Sequence, residues 1–546
     1  MPRLKDLQAD LVAGVIGAVV GTPQAMGFAL IAGVNPIYGL YTAVVSTIVA
    51  ALAGRSALMT VGPTNALALV VASVLGGYDA AIQPERLFVL TSLVGAFLVG
   101  FGILRLGTLV RFVSNAVMTG FISGAGLLII LGQFRYLNGY DPQGQTTLLR
   151  FMDWLQHLPD SDLQTVAVGL VAIVTIFAIQ RTRFRNVAPL VAIVLTTLSV
   201  QLLAWEGVTR VHDISSVPRG LPDPVLPTLT VVPELATAAL AMAVLAAVQS
   251  AALLNSIAEP GAESSGMNRD FVGMGLGNLV GGVLRGMPAC GSLSRTAVNI
   301  NAGASTRWAN VMAGVSVGTF LILLGPLVEQ VVLAALAAQL ILAAVSLIDL
   351  EQIRLVWRVN WPARTAMVVT FTATLALPLQ YSIYVGIFLS LGLYVHSAAE
   401  NLSVVRLVPV GDNRYQTVAI PEALPESAVV IFSVHGHLYF AAVQKLASVL
   451  PSAETGNRSI VVLRLRENTF LGSTGIRFLQ RYNHVLRQHG GRLILAGLSE
   501  SVRRQFEQTG MQADFGPANL FDASDIFLEA TGSAYEYGLT LLDQEE

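Results

Sequence analysis

Two short stretches of this 546-residue chain place Gly, Pro and hydroxyl side chains inside otherwise apolar sequence. One reads Met59-Thr-Val-Gly-Pro63-Thr-Asn-Ala-Leu67, the other Gly286-Met-Pro288-Ala-Cys-Gly-Ser-Leu-Ser-Arg295-Thr-Ala. Each is too short and too polar to cross a bilayer as an unbroken helix. A half-helix that starts inside a membrane leaves its first N–H groups unpaired and puts partial positive charge there. Two such starts set end to end would hold an anion by backbone alone. Thr64, Asn65 and Ala66 would begin one, and Ser292, Leu293 and Ser294 the other, each with hydroxyl or amide side chains able to donate. Arg295 lies within the second stretch. A charge at that depth costs about 2.5–3.5 kcal/mol even on lenient insertion scales, which marks it as functional unless it caps a buried backbone carbonyl. Gln24, just after Pro23, and Gln249, on an apolar stretch, either join helices or touch the substrate. Cys290 reads as a small packing residue.

Other chemistries find no support. The sequence offers no nucleophile–base pair, phosphate loop or metal-ligand set, so an enzyme is not expected, and neither a cofactor nor a metal is. No Gly-x-x-x-x-Gly-Lys-Ser/Thr motif occurs, which argues against ATP-driven transport. The single cysteine excludes an intrachain disulfide. A net charge of −2 without basic runs argues against nucleic acid as a partner.

The elements that must position these residues read as membrane helices. Residues 1–400 carry 39 charged side chains and residues 401–546 carry 27, so the shorter part is the more densely charged. This predicts a membrane domain over 1–400 and a soluble domain over 401–546. Met1–Asp10 is polar and no Ala-x-Ala-type cleavage region follows, which fits a first span and not a removable signal. With a window of about 20 residues, apolar segments fall near 11–31, 37–54, 58–76, 87–104, 115–134, 163–180 and 187–204. After a polar, Pro-rich connection come 234–254, 271–287, 289–303, 308–328, 331–348, 365–380 and 381–399. The broken stretches are third in each set of seven. Pro23 to Pro63 is 40 residues and Gln249 to Pro288 is 39. Two repeats, near 9–204 and 233–399, with an odd span number each would be inverted, and paired broken segments in inverted repeats point to a midplane transport site. Thirteen loop Lys/Arg fall on the N-terminal side and six opposite, which places both termini in the cytoplasm.

These residues resemble the SulP family of anion transporters, the sulfate permease family. The resemblance rests on Pro23-Gln-Ala-Met-Gly-Phe-Ala-Leu-Ile-Ala-Gly-Val-Asn-Pro-Ile-Tyr-Gly-Leu-Tyr41, on Val61-Gly-Pro-Thr, and on Asn268-Arg-Asp-Phe-Val through Gly291-Ser-Leu-Ser-Arg-Thr-Ala-Val-Asn299. It implies an α-helical membrane protein of 14 spans in a 7+7 inverted repeat, with a core domain moving against a gate domain. It implies a site between spans three and ten, with Gln24, Phe28, Thr64, Leu293, Ser294 and Arg295 at matching positions; Asn65 and Gln249 join the candidates. It also implies a homodimer in a cell (inner) membrane. Many similar members carry a glutamate where Gln249 stands. An amide cannot titrate, so proton coupling through this position is not expected, and symport, antiport and uncoupled transport stay open.

The tail alternates in the α/β manner, with apolar β-branched runs at 429–434, 460–465 and 493–498 and helical patterns near 441–450, 473–489 and 500–509. It resembles the STAS domain that follows SulP membrane domains. The loop Phe470-Leu-Gly-Ser-Thr-Gly475 carries Gly472 where an Asp is usual. Ser473 is the regulatory candidate by resemblance, and a plain helix N-cap at Ser473 or Thr474 is the simpler reading. His435, His437, His484 and His489 lack metal-ligand spacing. The expected function is secondary transport of a small anion of the sulfate, bicarbonate, chloride or dicarboxylate class. The alternatives are a nucleobase-type permease on the same fold and a transport-inactive membrane sensor signalling through its tail.

Overall fold

The computed structural model describes residues 4–107, 113–144, 146–182, 187–214, 220, 222–257, 266–400, 402–411 and 414–544. Of the loop charges counted above, Arg3, Arg111, Arg183, Arg185 and Arg219 lie outside the described residues. The chain forms two compact units, Met1–Ser390 and Leu391–Glu546.

The first unit is helical. In its first half, α1 (Leu4–Ile31), α2 (Pro36–Ala53), the two-residue strand β1 (Val61–Gly62), α3 (Asn65–Leu75) and α4 (Gln83–Ile103) are followed by α5 (Asn115–Asn138), α6 (Thr147–Gln156), α7 (Leu163–Gln180) and α8 (Ala188–Leu202). After the single turn α9 (Val211–Ile214), the second half repeats the order. It comprises α10 (Val232–Ile257), α11 (Met267–Val283), β2 (Cys290–Gly291), α12 (Leu293–Asn301), α13 (Trp308–Glu329), α14 (Leu333–Val345), α15 (Leu350–Val359), α16 (Trp361–Ala376) and the start of α17 (Leu379–Glu400), whose residues from Leu391 on belong to the second unit. The fourteen apolar segments coincide with α1–α5, α7, α8, α10–α14, α16 and α17. Eight helical stretches among the described residues are long and apolar enough to cross a membrane by length and composition. With 11 and 9 residues, α3 and α12 are not among them.

Local chemistry sets the boundaries. Asn35 caps α2 by accepting from the Ile37 N–H, with Pro36 at the first helical position. Ser114 caps α5 at the Val117 N–H, and Gly139, at φ +76°, ends that helix in the left-handed region. Packing divides the helices into two groups. α1, α2 and α4 pack mainly with α10, α11 and α13, whereas α5 packs with α14 and α16, and α7 with α8 and α14. The most extensive helix pairing is between α4 and α11. A Cβ on Gly275 would lie 2.6 Å from the Val99 backbone nitrogen, so only glycine lets these backbones meet.

The hydropathy window passes over α6 and α15. Both are ten-residue amphipathic helices, and each follows the fifth apolar segment of its half. They add a further correspondence between the two halves.

The second unit is a six-stranded sheet flanked by helices. Its order is β4 (Tyr415–Val418), β3 (Ser403–Pro409), β5 (Val429–His435), β6 (Ile460–Arg464), β7 (Arg492–Leu498), β8 (Leu520–Asp522). β5 to β8 are parallel and β3–β4 is an antiparallel hairpin on the edge. β5, β6 and β7 are covered on both faces and so read as continuous apolar runs. α18 (Phe440–Val449), α19 (Ser473–Gln488), α20 (Glu500–Thr509) and α21 (Met511–Phe515) cover one face through Leu446, Leu479, Phe506 and Phe515. α22 (Glu529–Gln544) covers the other through Ala534 and Leu541. The hairpin, β8 and α22 carry no such runs in the sequence.

Candidate functional site

β1 and β2 pair with each other. Val61 lies opposite Gly291 and Gly62 opposite Cys290, antiparallel, so the two breaks in the apolar sequence touch and α3 and α12 begin just beyond them. The Ser292 N–H donates to the Thr60 carbonyl at 2.9 Å and extends the contact. Broken backbone buried among apolar helices needs partners, and side chains from four neighbouring helices supply them. Thr47 of α2 donates to the Val61 carbonyl at 2.6 Å. Ser250 of α10 accepts from the Gly291 N–H at 2.9 Å. Asn278 of α11 brackets Ala289, accepting from its N–H at 2.7 Å and donating to its carbonyl at 2.9 Å. Asn310 of α13 donates to the Met59 carbonyl at 3.2 Å and accepts from the Thr60 hydroxyl at 2.7 Å. These four residues were not singled out from the sequence. The rule that flagged Gln24 and Gln249, an amide in an apolar helix, would have found both asparagines.

Arg295 is buried on the first turn of α12, and its Nη2 donates to the Pro63 carbonyl at the other break. One guanidinium thus joins the two half-helix starts, and its Nε has no protein partner. Gly62 makes this possible. A Cβ there would overlap the guanidinium. The carbonyl cap named as the alternative for Arg295 is thus present, and the same guanidinium carries an N–H without a protein partner.

The other candidates divide. Thr64 is buried and precedes α3, but its hydroxyl makes no cap; it lies 3.3 Å from the Cys290 thiol, which donates to Gln249 Oε1 at 3.2 Å. Cys290 is thus not a packing residue alone, since its thiol links α10 to both breaks. The Asn65 side-chain oxygen accepts from the Ala66 N–H at 2.8 Å, so this amide is partly committed to its own helix. Ser292 caps α12 by accepting from the Arg295 N–H, which leaves its own hydroxyl proton free to donate. Leu293 and Ser294 are exposed. Gln24 is half-buried with Oε1 unpartnered, on α1, which packs against both α3 and α12. Phe28, one turn on, belongs to the apolar cluster that contains Ala66 and Leu67.

In the second unit, Gly472 is the N-cap of α19, and Ser473 and Thr474 are exposed in its first turn. The N-cap reading of Ser473 or Thr474 is corrected accordingly. The glycine in place of an Asp leaves this helix start without a side-chain cap. His435 pairs with Glu467 at 2.9 Å, and this hydrogen bond holds the Glu467 carboxyl below its usual range. Arg464 is buried beside Ser433, to which it donates at 3.1 Å, and burial pushes its pKa down. Among the described residues no group of three or more His, Cys, Asp or Glu could hold a metal ion.

Comparison with known proteins agrees with this architecture. The sulfate permease family matches residues 7–370, and the STAS domain matches residues 421–525. The chain is 28% identical to "Sulfate transporter 4.1, chloroplastic" of Arabidopsis thaliana, over 96% of this chain and 81% of that one. It is 24% identical to "Putative sulfate transporter YvdB" of Bacillus subtilis (strain 168), over 97% and 98% of the two chains. Among solved structures, the murine Solute Carrier 26 family member A9 anion transporter in the inward-facing state superposes with a TM-score of 0.85 at 19% identity, covering 99% of this chain and 92% of that one. The transmembrane domain of a cyanobacterium bicarbonate transporter, BicA, gives a TM-score of 0.58 at 22% identity and covers 72% and 99%.

Proposed function

The chain belongs to the sulfate permease family, and from that premise we propose that it moves a small anion by alternating access, with the anion held between the starts of α3 and α12. It is an integral membrane anion transporter with a STAS domain, and not an enzyme. The observation that carries the finer reading is the β1–β2 pairing, which sets two helix N-termini beside one buried arginine with an unpaired N–H. Helix dipoles and a guanidinium favour an anion over a cation or a neutral solute. Arg295, the first-turn N–H groups at Asn65, Leu293 and Ser294, and the side chains of Gln24, Phe28, Thr64 and Gln249 form the proposed contact set. The group containing α1–α4 and α10–α13 would act as the core, and the group around α5, α7, α14 and α16 as the gate.

The family relatives named above carry sulfate-transporter names, and the structural neighbours are an anion transporter and the transmembrane domain of a bicarbonate transporter. Sulfate, bicarbonate, chloride and dicarboxylates are accordingly the substrates to try first. Gln249 accepts a hydrogen bond from Cys290 and cannot titrate, which favours exchange or uncoupled transport over proton symport through this position. A homodimer in the cell (inner) membrane, termini cytoplasmic, completes the reading. The domains would be 1–400 and 401–546, the second being dispensable for folding of the first, with Ser473 as a regulatory site. Uptake of the four anion classes into proteoliposomes, with and without a pH gradient, tests the proposal. Saturable uptake of at least one is expected. No flux of any anion would favour the sensor reading, and flux of nucleobases alone the permease reading.

A further inference from the structure

At the end of the helical unit remote from Leu4, the last turn of α1, the later part of α3 and the end of α5 enclose, together with α6, a cavity of about 120 Å³. It first meets α3 at Leu69, about 6 Å along the helix from Asn65 at 1.5 Å per residue, and none of the residues of the half-helix starts lines it. Its walls include Leu69, Ile31, Gln133, Arg135, Arg150 and Trp154. Two of these bring buried polar atoms without a partner. Gln133 is 4% exposed and its Oε1 accepts nothing, and the Trp154 Nε1–H donates to nothing. The indole is fixed in place, stacked on Phe134 at 4.7 Å and on Phe151 at 5.6 Å between ring centroids.

The two arginines set the sign of the cavity. Arg150 uses its Nε–H on the Gly144 carbonyl at 2.9 Å, which leaves the rest of its fork. Arg135 leans on the Tyr136 ring and pairs with Asp141 at 3.5 Å. Asp141 belongs to an adjoining cavity of about 270 Å³, and no carboxylate lines the smaller one among the described residues. Buried polar atoms are normally satisfied, and here the unmet needs are an acceptor for an indole N–H and a donor for an amide oxygen, beside a wall that carries two guanidinium groups and no carboxylate among the described residues.

We propose that this cavity is a second anion-binding site, for a small oxyanion that carries a hydroxyl, of the hydrogencarbonate class. The oxyanion oxygens accept from Trp154 and Arg150, and the hydroxyl donates to Gln133. At this end of the bundle the site concentrates anion near the transport path.

The test uses the full chain in detergent at about pH 8, where sulfate has no hydroxyl. Emission of Trp154, isolated by difference from Trp154→Phe, is titrated with sodium hydrogencarbonate and with sodium sulfate at fixed ionic strength. The expected result is a saturable change with hydrogencarbonate and at least about fivefold weaker binding of sulfate. Because a charge-assisted bond is lost, binding should weaken at least about tenfold in Arg150→Gln, an exposed position where folding is safe, and also in Arg135→Gln. Gln133→Met should erase the preference for hydrogencarbonate. A wild type without a saturable change, an unaltered titration in both arginine variants, or sulfate binding as tightly as hydrogencarbonate would each overturn the proposal. The signal is expected to persist in Arg295→Ala, so failure here and failure of the α3–α12 site are told apart.

Discussion

α3 and α12 hold matching places in the two halves of the helical unit, and both begin at a strand of two residues, yet their first turns are built in opposite ways. α3 is wrapped in apolar side chains from Ala66 to Val71, and the Thr64 hydroxyl before it faces a thiol without capping the helix. α12 is capped by Ser292, shows Leu293 and Ser294 on its open side, and buries Arg295 on the other. Arg295 then reaches across to Pro63, two residues ahead of the start of α3. The charge carried by one half is therefore lodged at the break of the other. A repeated backbone break has been kept while its side chains have specialised, with α3 as a buried wall and α12 as the bearer of charge and access.

Gly62→Ala attacks the point where the halves meet, and the largest effect is expected there. Its Cβ would occupy the place of the guanidinium and push Arg295 off the Pro63 carbonyl. Overpacking of this kind costs about 1–3 kcal/mol. Anion uptake in proteoliposomes should fall by roughly 150-fold or more, corresponding to about 3 kcal/mol. Gly21→Ala is the control, since its Cβ would meet the aliphatic part of Arg295 at an ordinary 3.5 Å. If the two variants lose activity equally, close fit at Gly62 is not what matters.

Arg295→Ala removes the charge and leaves the break intact. Loss of a charge-assisted hydrogen bond of about 1.5–3 kcal/mol predicts roughly 10- to 150-fold weaker anion affinity. Lysine should restore part of it, because it returns the charge without the planar fork. Full activity in Arg295→Ala would leave the helix ends alone as the anion site.

Gln249→Glu asks whether a titrating group beside the breaks changes the coupling. A carboxylate facing Cys290 could take up and release a proton where the amide cannot. Wild-type flux should depend weakly on an imposed pH gradient, with the dependence rising severalfold in the variant. A steep wild-type dependence left unchanged by the substitution would mean that another group, or the substrate, carries the proton.

The difference between α3 and α12 was only half legible in the sequence. Pro63 and Pro288 announced the breaks, and Thr64 and Ser292 announced where the helices start, because Pro and capping residues act on the few residues beside them. The side-chain bonds from Thr47, Ser250, Asn278 and Asn310 to the broken backbone span 11 to 251 positions of sequence, and no local pattern encodes such partners. The fate of the Thr64 hydroxyl was invisible for the same reason, since it is decided by Cys290, 226 residues away. α6 and α15 were passed over because an amphipathic ten-residue helix averages out in a hydropathy window. In the tail, β5, β6 and β7 showed themselves as apolar runs, while the partly exposed edge hairpin β3–β4 did not.

The smallest effect expected separates the two caps themselves. Ser292 accepts from the Arg295 N–H, and removing such a cap costs about 1 kcal/mol. Thr64 caps nothing, and Thr64→Val keeps the branched shape while giving up only a contact with sulfur. Thermal unfolding of the reconstituted protein should therefore begin about 1–2 °C lower in Ser292→Ala and stay within error of wild type in Thr64→Val. Transport should rank them the other way, because the Thr64 hydroxyl stands before the first N–H groups of α3 and adds a donor or acceptor there. A twofold to fivefold rise in KM is expected for Thr64→Val, about the worth of one neutral hydrogen bond, against little change for Ser292→Ala. Equal shifts in both measurements would mean that the two starts are interchangeable, and that the charge on α12 alone distinguishes the halves.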